Sequence, residues 1–196
     1  MGHPPVTPTG GTLLDVVRLP CAGLLLALGV FGYPLAAAMD GTLADAHGGQ
    51  GFGREVGGLR ARVVLPASSY RLGVSIVPAF EIRNVSDVSV SVWEASFWPN
   101  HRLTVTDDIG AELALTALGE RARELFSPAG PRRKNLAVII PPGGVHAVTV
   151  PSGLTELFVL DRPGTYRVSV EYEECSETWS GHLVSPPVEF QIVTAD

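Results

Sequence analysis

Apolar and polar residues alternate with a period of two along most of the chain after residue 58. Leu59, Ala61 and Val63 alternate with arginines, and the residues from Tyr166 to Tyr172 alternate in the same way. Alternation of this kind places one side of a β-strand in a core and the other side in water. Similar runs occur at Phe80–Ile82, Val88–Val92, Leu103–Val105, Leu136–Ile140, Val145–Val150 and Val188–Ile192.

The alternation predicts an all-β fold, with about eight or nine short strands separated by turn residues. Strands that are polar on one side are typical of antiparallel sheets with one solvated face. We therefore expect a single antiparallel β-sandwich over residues 59–194. The chain shows no internal repeat, and one sandwich of this length is favoured over two very small ones.

One segment near residues 117–126 departs from the strand pattern and predicts a short inserted helix. Apolar positions recur there at helical spacing, and charged residues fill the other face. We expect this helix to cover an end or an edge of a sheet. Its apolar face would consist of Leu118, Ala122, Leu125 and Phe126.

A hairpin is predicted around the turn Asp107–Gly110. Leu103 and Val105 precede this turn, and Leu113 and Leu115 follow it. Asp, Asp and Gly in a short segment between apolar alternations favour a turn. An alternative is that Asp107 and Asp108 bind Ca²⁺ with help from elsewhere in the fold.

The alternation slips near Trp93. Val88, Val90 and Val92 share one face of the predicted strand, whereas Trp93 and Phe97 fall on the other. Either a β-bulge lies near Trp93 and Glu94, or the end of the strand is covered on both sides.

The N-terminal region carries an apolar run from Leu19 to Met39 without a charged residue, preceded by Arg18. The run is long enough to span a bilayer, but Ala36-Ala37-Ala38 resembles a signal-peptidase site. Residues 1–38 are therefore expected to be a signal peptide or a membrane anchor, with anchoring through residues 19–39. Residues 39–58 contain seven glycines and predict a flexible linker.

Composition narrows the classes of partner. The formal net charge is −6, which argues against nucleic-acid binding because such proteins normally carry a basic face. Arginine outnumbers lysine thirteen to one, a bias typical of a GC-rich genome.

Cys21 lies in the apolar run, which leaves Cys175 without a partner, so neither a disulfide nor a cysteine zinc site is predicted. No cofactor is indicated.

Residues Leu160–Val170 carry a leucine, a Pro163-Gly164 turn and then Tyr166 at the start of an alternating strand. This motif resembles the penultimate strand of immunoglobulin-like and fibronectin type III-like sandwiches, in which the tyrosine hydroxyl bonds nearby backbone. The resemblance implies that Tyr166 is structural and that Trp93 matches the core tryptophan of the third strand. Val168 stands where antibody domains have cysteine, so the resemblance is to disulfide-free bacterial immunoglobulin-like domains. It implies an adhesive or partner-binding role.

Residues that could carry chemistry do not form a recognisable catalytic or metal motif. The chain has no Gly-x-Ser-x-Gly and no His-x-x-x-His, and Ser180 and His182 are too close in sequence to form a triad alone. The sequence therefore predicts that the protein is not an enzyme. Four acidic side chains near Cys175 are expected on a solvated outward face: Glu171, Glu173, Glu174 and Glu177.

Three functions remain open from the sequence. The first is a non-catalytic extracytoplasmic module, secreted, periplasmic or membrane-anchored, that binds a protein or a cell-envelope component. The second is a carbohydrate-binding module, which needs exposed rings at Trp98 and Trp179 for stacking on sugars. The third is a protease-inhibitor-like sandwich that uses the loop Ser127–Asn135. That loop holds the basic cluster Arg132, Arg133 and Lys134, which are also candidate ligand contacts.

Overall fold

The computed structural model of the protein describes residues 51–93, 96–126 and 137–194, and within these ranges the fold is all-β. The described residues all lie in one compact unit. The helices are α1 (Ala117–Glu124) and α2 (Leu154–Leu157). The strands are β1 (Leu59–Val64), β2 (Ser69–Arg71), β3 (Ala79–Asn84), β4 (Val90–Trp93), β5 (His101–Thr106), β6 (Ala137–Ile140), β7 (Val145–Thr149), β8 (Gly164–Cys175), β9 (Ser180–Val184) and β10 (Val188–Val193).

The described strands pair into three sheets. The three-stranded sheet has the order β1-β3-β7, and the two-stranded sheet pairs β4 with β6. The five-stranded sheet has the order β2-β10-β8-β5, and β9 pairs with the C-terminal end of β8. The described pairs are antiparallel as predicted, with the exception of β2 and β10, which are parallel. Parallel pairing requires a long connection, which the chain between β2 and β10 provides.

Strand β8 organises the core because its alternation continues over 12 residues. Every second residue from Tyr166 to Glu174 is buried under the neighbouring layer. The three-stranded sheet packs on this face through Phe80, whose ring centroid lies 6.3 Å from that of Tyr172. The inward residues of β1 and β3 that complete this contact are Leu59, Ala61, Val63 and Ile82.

The folded region begins earlier than residue 59, which corrects the linker predicted for residues 39–58. The amide of Gly53 donates to the carbonyl of Ala61 at 2.8 Å, and Val56 forms a bridge with Leu59. Gly57 and Gly58 have positive φ angles of 56° and 80° and make the tight turn into β1. The glycines that suggested flexibility are here required by that turn. Residues 39–50 lie outside the described residues.

The predicted helix is present as α1, but its buried face differs from the expected one. Leu118 and Leu125 are exposed, whereas Gly119 and Ala122 face the core. Thr116 caps the helix by accepting a hydrogen bond from the Gly119 amide at 3.1 Å. A side chain at position 119 would collide with the backbone of Leu157 in α2, so the glycine allows the close approach of the two helices. Small residues therefore define this contact, which a search for large apolar side chains overlooked.

The turn predicted at Asp107–Gly110 forms, but the second arm of its hairpin is reduced to a single bridge between Thr106 and Glu112. The carboxylate of Asp107 accepts a hydrogen bond from the Ala111 amide at 2.8 Å, and Gly110 has a φ angle of 87°. Asp107 therefore serves the turn. Leu115, which was predicted to lie in the second arm of the hairpin, instead forms a bridge with Phe158.

The slip in alternation at Trp93 corresponds to a strand end that is covered on both sides. Val92 and Trp93 are consecutive residues of β4, and both are buried. Glu94 and Ala95 lie outside the described residues, as does the apolar run Leu19–Met39. Among the helices that the structure describes, none has the length and apolar character needed to cross a membrane.

Tyr166 lies at the start of β8 with its ring in the core and its hydroxyl on the preceding loop. The side chain is 2% exposed, and its ring packs on Phe190 with centroids 5.8 Å apart. The hydroxyl donates a hydrogen bond to the carbonyl oxygen of Arg162 at 2.8 Å. This contact closes the Pro163-Gly164 turn back onto the strand.

We expect Tyr166→Phe to lower the free energy of unfolding by about 1 kcal/mol, because the hydrogen bond to Arg162 is lost. Tyr166→Ala should cost about 3–5 kcal/mol, since the buried ring is removed as well. Thermal melts measure both. Tyr70→Phe is the control, with an expected change below about 0.5 kcal/mol because its hydrogen bond to the Ala67 amide is exposed. Equal melting temperatures for the wild type and Tyr166→Ala would contradict this account.

Candidate functional site

The first candidate ligand contact predicted from the sequence is the basic cluster of the loop after α1. Arg132, Arg133 and Lys134 lie outside the described residues, together with the whole loop Ser127–Asn135. The expectation that this loop enters a protease cleft therefore stays a prediction.

The two tryptophans proposed as a sugar platform do not form one. Trp179 is 7% exposed, and its ring packs against Tyr172 with centroids 5.9 Å apart. Its indole nitrogen donates to the Gly57 carbonyl at 3.3 Å, so the ring anchors the N-terminal turn. Trp98 is half-buried and meets Phe97 edge to face. Stacking on a sugar requires open ring faces, which Trp179 does not offer.

The acidic residues near Cys175 separate onto two faces, which corrects the expectation that all four are solvated. Glu171 and Glu173 lie on the outward face of β8, whereas Glu174 lies on the core face and is 1% exposed. Cys175 is an exposed free thiol at the end of the strand. The alternation of β8 alone predicts this separation, because residue 174 shares the parity of Tyr166 and Tyr172.

The buried carboxylate of Glu174 is fully engaged in hydrogen bonds. Its Oε2 atom accepts from the Trp93 amide at 3.0 Å and from the Tyr172 hydroxyl. Its Oε1 atom accepts from the Ser176 hydroxyl at 2.6 Å. Burial of a charge is tolerated only when such donors replace water. Glu174 is therefore a structural group that joins β8 to the end of β4.

His101 is a second buried polar residue that the sequence did not single out. Its ring stacks on Phe97 with centroids 4.1 Å apart, and its Nδ1 atom lies 2.6 Å from the Phe97 carbonyl oxygen. Burial lowers the pKa of His101 from 6.5 to about 4; the Phe97 carbonyl opposes this shift, and nearby His146 adds to it. The neutral ring then donates from Nδ1. Its Nε2 atom has no hydrogen-bond partner among the described residues.

The space around His101 is too small for an organic substrate. A cavity of about 10 Å³ is lined by His101, His146 and Val148, and one of about 20 Å³ lies between β5 and α1. Each holds about one water molecule. Within the described ranges, no three histidine, cysteine or acidic residues are placed to hold a metal ion.

An arginine-rich surface appears on the outward side of the three-stranded sheet, and we call it the arginine face. Arg60 of β1 lies directly opposite Arg83 of β3, and Arg62 lies opposite Glu81. Arg62 bonds Glu81 at 2.7 Å, whereas Arg60 has only a long, exposed contact of 3.7 Å with Glu55. The remaining outward positions of the sheet are Val64, Ala79, Val145, Ala147 and Thr149.

Phe52 extends this face. The guanidinium of Arg62 lies 4.6 Å from the centroid of its ring, and that of Arg83 lies 5.8 Å away. Two cations on one ring hold the segment before β1 against the sheet. In the sequence, the arginines of β1 and β3 are the polar residues of two separate alternating strands. Their proximity depends on the strand register, which the sequence pattern does not give. Phe52 was not identified because it lies within the predicted linker.

Comparisons with known proteins assign no family. No protein-family model matches the chain, and no curated protein matches it. Among solved structures, the β-glucosidase EmGH1 from Erythrobacter marinus is 15% identical over 74% of this chain and 15% of its own, with a TM-score of 0.35. A β-glucosidase from Listeria innocua in complex with gluconolactone is 16% identical over 68% of this chain and 16% of its own, with a TM-score of 0.33.

A family 123 glycoside hydrolase from Clostridium perfringens is 12% identical over 70% of this chain and 28% of its own, with a TM-score of 0.32. The chain thus spans between 15% and 28% of the length of these three proteins. At these TM-scores the likeness assigns neither a fold nor an activity.

We expect Glu174→Gln to lower the free energy of unfolding by about 1–3 kcal/mol. An amide nitrogen cannot accept from the hydroxyl and amide donors that surround the carboxylate, so one or more buried donors lose their partner. Chemical denaturation measures the loss. The control is Glu173→Gln on the outward face of β8, which should stay within about 0.5 kcal/mol. Equal effects of the two substitutions would show that the carboxylate is not the link.

We expect His101 to make the protein less stable as the pH falls. The folded state takes up this proton near pH 4 and the unfolded state near pH 6.5, so the unfolded state binds more protons between these values. The contribution is fully present above pH 6.5 and is lost toward pH 4, a decrease of about 3 kcal/mol. Denaturation at several pH values measures it as the difference between the wild type and His101→Phe.

The phenylalanine variant keeps a planar ring against Phe97 and has no proton to bind, so its stability should fall less steeply between pH 7 and pH 4. His182→Gln on the exposed surface of β9 is the control and should follow the wild type. Parallel curves for the wild type and His101→Phe would contradict the assignment.

Proposed function

We propose that the chain is a non-catalytic, extracytoplasmic binding module built on a disulfide-free immunoglobulin-like β-sandwich. Residues 1–38 direct export or anchor the chain in a membrane, and the arginine face provides the binding surface. The partner is a protein or a component of the cell envelope.

Three features of the described residues support the sandwich. The three-stranded and five-stranded sheets turn apolar faces toward each other, with Phe80 on one side and Tyr172 on the other. Tyr166 bonds the Arg162 carbonyl four residues upstream, as in the tyrosine corner of immunoglobulin-like domains. Trp93 is buried at the end of β4, which suits a core tryptophan.

A non-catalytic role is supported by the contacts of three polar side chains, Glu174, Asp107 and His101. Glu174 is saturated with donors, and Asp107 serves a turn. His101 has a pKa of about 4 and faces cavities with room for about one water molecule each. A general base needs access to a substrate and a pKa near the working pH, and His101 has neither.

The observation that carries the binding role is the pairing of Arg60 with Arg83. Like charges directly opposite each other in a sheet are unfavourable. On the outward face of the five-stranded sheet, Arg102 instead lies opposite Glu171 and Arg167 opposite Glu189, whereas Arg71 lies opposite Val193. The arginine face therefore keeps a net positive charge, with Arg83 unpaired among the described residues, on a protein whose net charge is −6, and an acidic partner would neutralise it.

We expect the protein to be exported, with a mature N-terminus near Met39 or His47 if the leader is cleaved. Cell fractionation and intact mass of the protein from an exporting host test this. An anchored form would retain its N-terminus and stay with the membrane fraction. A soluble cytoplasmic protein that retains Met1 would overturn the extracytoplasmic assignment.

A further inference from the structure

We propose that the arginine face docks on the anionic phospholipid headgroups of the membrane surface. This inference rests on the proposed function, because it requires the domain to be held near a membrane. The partner in the cell envelope is then the phosphate groups of acidic lipids.

The arginine face has the charge that such a surface requires. Arg83 has no carboxylate within ion-pair distance among the described residues, and its guanidinium is exposed beside Phe52. Arg60 faces it across the strand pair with only an exposed contact to Glu55. Guanidinium groups bind phosphate oxygens through two parallel hydrogen bonds, which lysine cannot do.

The rest of the arginine face suits a flat interface. The positions beside the arginines carry short side chains, and the outward residue of β7 next to Arg83 is Val145, which is 51% exposed. Among the outward residues of β1, β3 and β7, Glu81 is the one acidic side chain, and Arg62 neutralises it. The neighbouring Glu55 lies 3.7 Å from Arg60 in an exposed contact. The guanidinium groups can therefore approach a planar layer of phosphates together.

The charges on the two sides of the domain favour the arginine face as the side that turns to the membrane. The outward face of the five-stranded sheet carries as many arginines as glutamates, so its charges balance: Arg71, Arg102 and Arg167 against Glu171, Glu173 and Glu189. The arginine face lies on the opposite side of the core, since the two sheets turn their inner faces toward each other through Phe80 and Tyr172. The domain thus carries one side that attracts an anionic surface and one side whose charges balance.

The position of this face along the chain favours a membrane over a soluble acidic protein. The apolar run ends at Met39, and Phe52 of the arginine face lies thirteen residues later. A chain of that length reaches at most about 45 Å. With residues 19–39 in a bilayer, the headgroups are always within reach, and tethering raises their effective concentration. Each arginine near an acidic bilayer strengthens binding about fivefold, and the tether adds to this effect.

The test uses the full chain with Cys21→Ser, which leaves the exposed Cys175 as the single thiol for a fluorescent donor. The protein is incorporated into vesicles of phosphatidylcholine alone or with about 30% phosphatidylglycerol, both containing a headgroup-linked acceptor. Energy transfer reports the distance of the domain from the surface. The variant Arg60→Gln with Arg83→Gln is compared with Arg102→Gln and Arg167→Gln, which removes the same charge from the other side.

We expect energy transfer to change between neutral and acidic vesicles for the wild type and for the Arg102 and Arg167 variant. The difference in energy transfer should disappear in the Arg60 and Arg83 variant. It should also disappear in about 0.5 M salt, because the salt shortens the range of electrostatic interactions to a few ångströms. Thermal melts confirm that both variants fold. Equal transfer in the two lipids, or equal losses in the two variants, would overturn docking.

Flotation of the same samples separates this inference from the proposed function. If the full chain does not float with neutral vesicles, the anchored form of the proposed function fails. Flotation with acidic vesicles alone, abolished by Arg60→Gln with Arg83→Gln, would then still support the docking face. No flotation with either lipid would overturn docking, and so would binding to a soluble acidic protein without any response to phosphatidylglycerol.

Discussion

The buried carboxylate of Glu174 is the interaction on which the arrangement of the sheets depends. It accepts hydrogen bonds from Tyr172 and Ser176 on its own side and from the backbone of Trp93 at the end of β4. A charge in the interior must keep these donors, because the cost of leaving it unpaired is several kcal/mol. Strand β8 is the centre of the five-stranded sheet, so the carboxylate fixes the end of the two-stranded sheet to it. A large shift of β4 would remove the Trp93 amide and leave the carboxylate without that donor in an apolar environment.

Asn84 performs the equivalent task at the other end of β4. Its side-chain nitrogen donates to the carbonyls of Val88 and Ile140 at 2.7 and 2.8 Å, and its side-chain oxygen accepts from Ser86. These contacts hold the turn between β3 and β4 against the end of β6. The residue is completely buried, so the sequon Asn84-Val85-Ser86 describes a polar corner of the fold and offers no accessible amide for a glycan. Two buried polar groups therefore specify the position of a sheet that has only two strands.

The sequence predicted the parts of the fold that depend on neighbours along one strand. Alternation identified β1, β3, β5, β8 and β10, and the Pro163-Gly164 turn with Tyr166 predicted a hydroxyl bonded to the preceding loop. Features that depend on which strands meet could not be found in this way. The register alone places Arg60 opposite Arg83, and the burial of Trp179 depends on the N-terminal turn at Gly57. Gly119 was overlooked for a related reason, because its role is defined by the backbone of α2.

The same alternation that builds the core also separates the surface charges. On the five-stranded sheet, cross-strand pairing sets Arg167 against Glu189 at 3.0 Å, so the charges cancel locally. On the three-stranded sheet, the register sets Arg60 against Arg83, and the small residues around them leave the charge uncovered. A one-residue shift in strand register would turn these arginines toward the core. Such a shift is excluded because burying an unpaired charge there is too costly. The register of β1 on β3 is therefore fixed by the core residues between the arginines. The exposed like-charge pair is the consequence of that constraint, and it gives the domain an electrostatic direction that its net charge of −6 conceals.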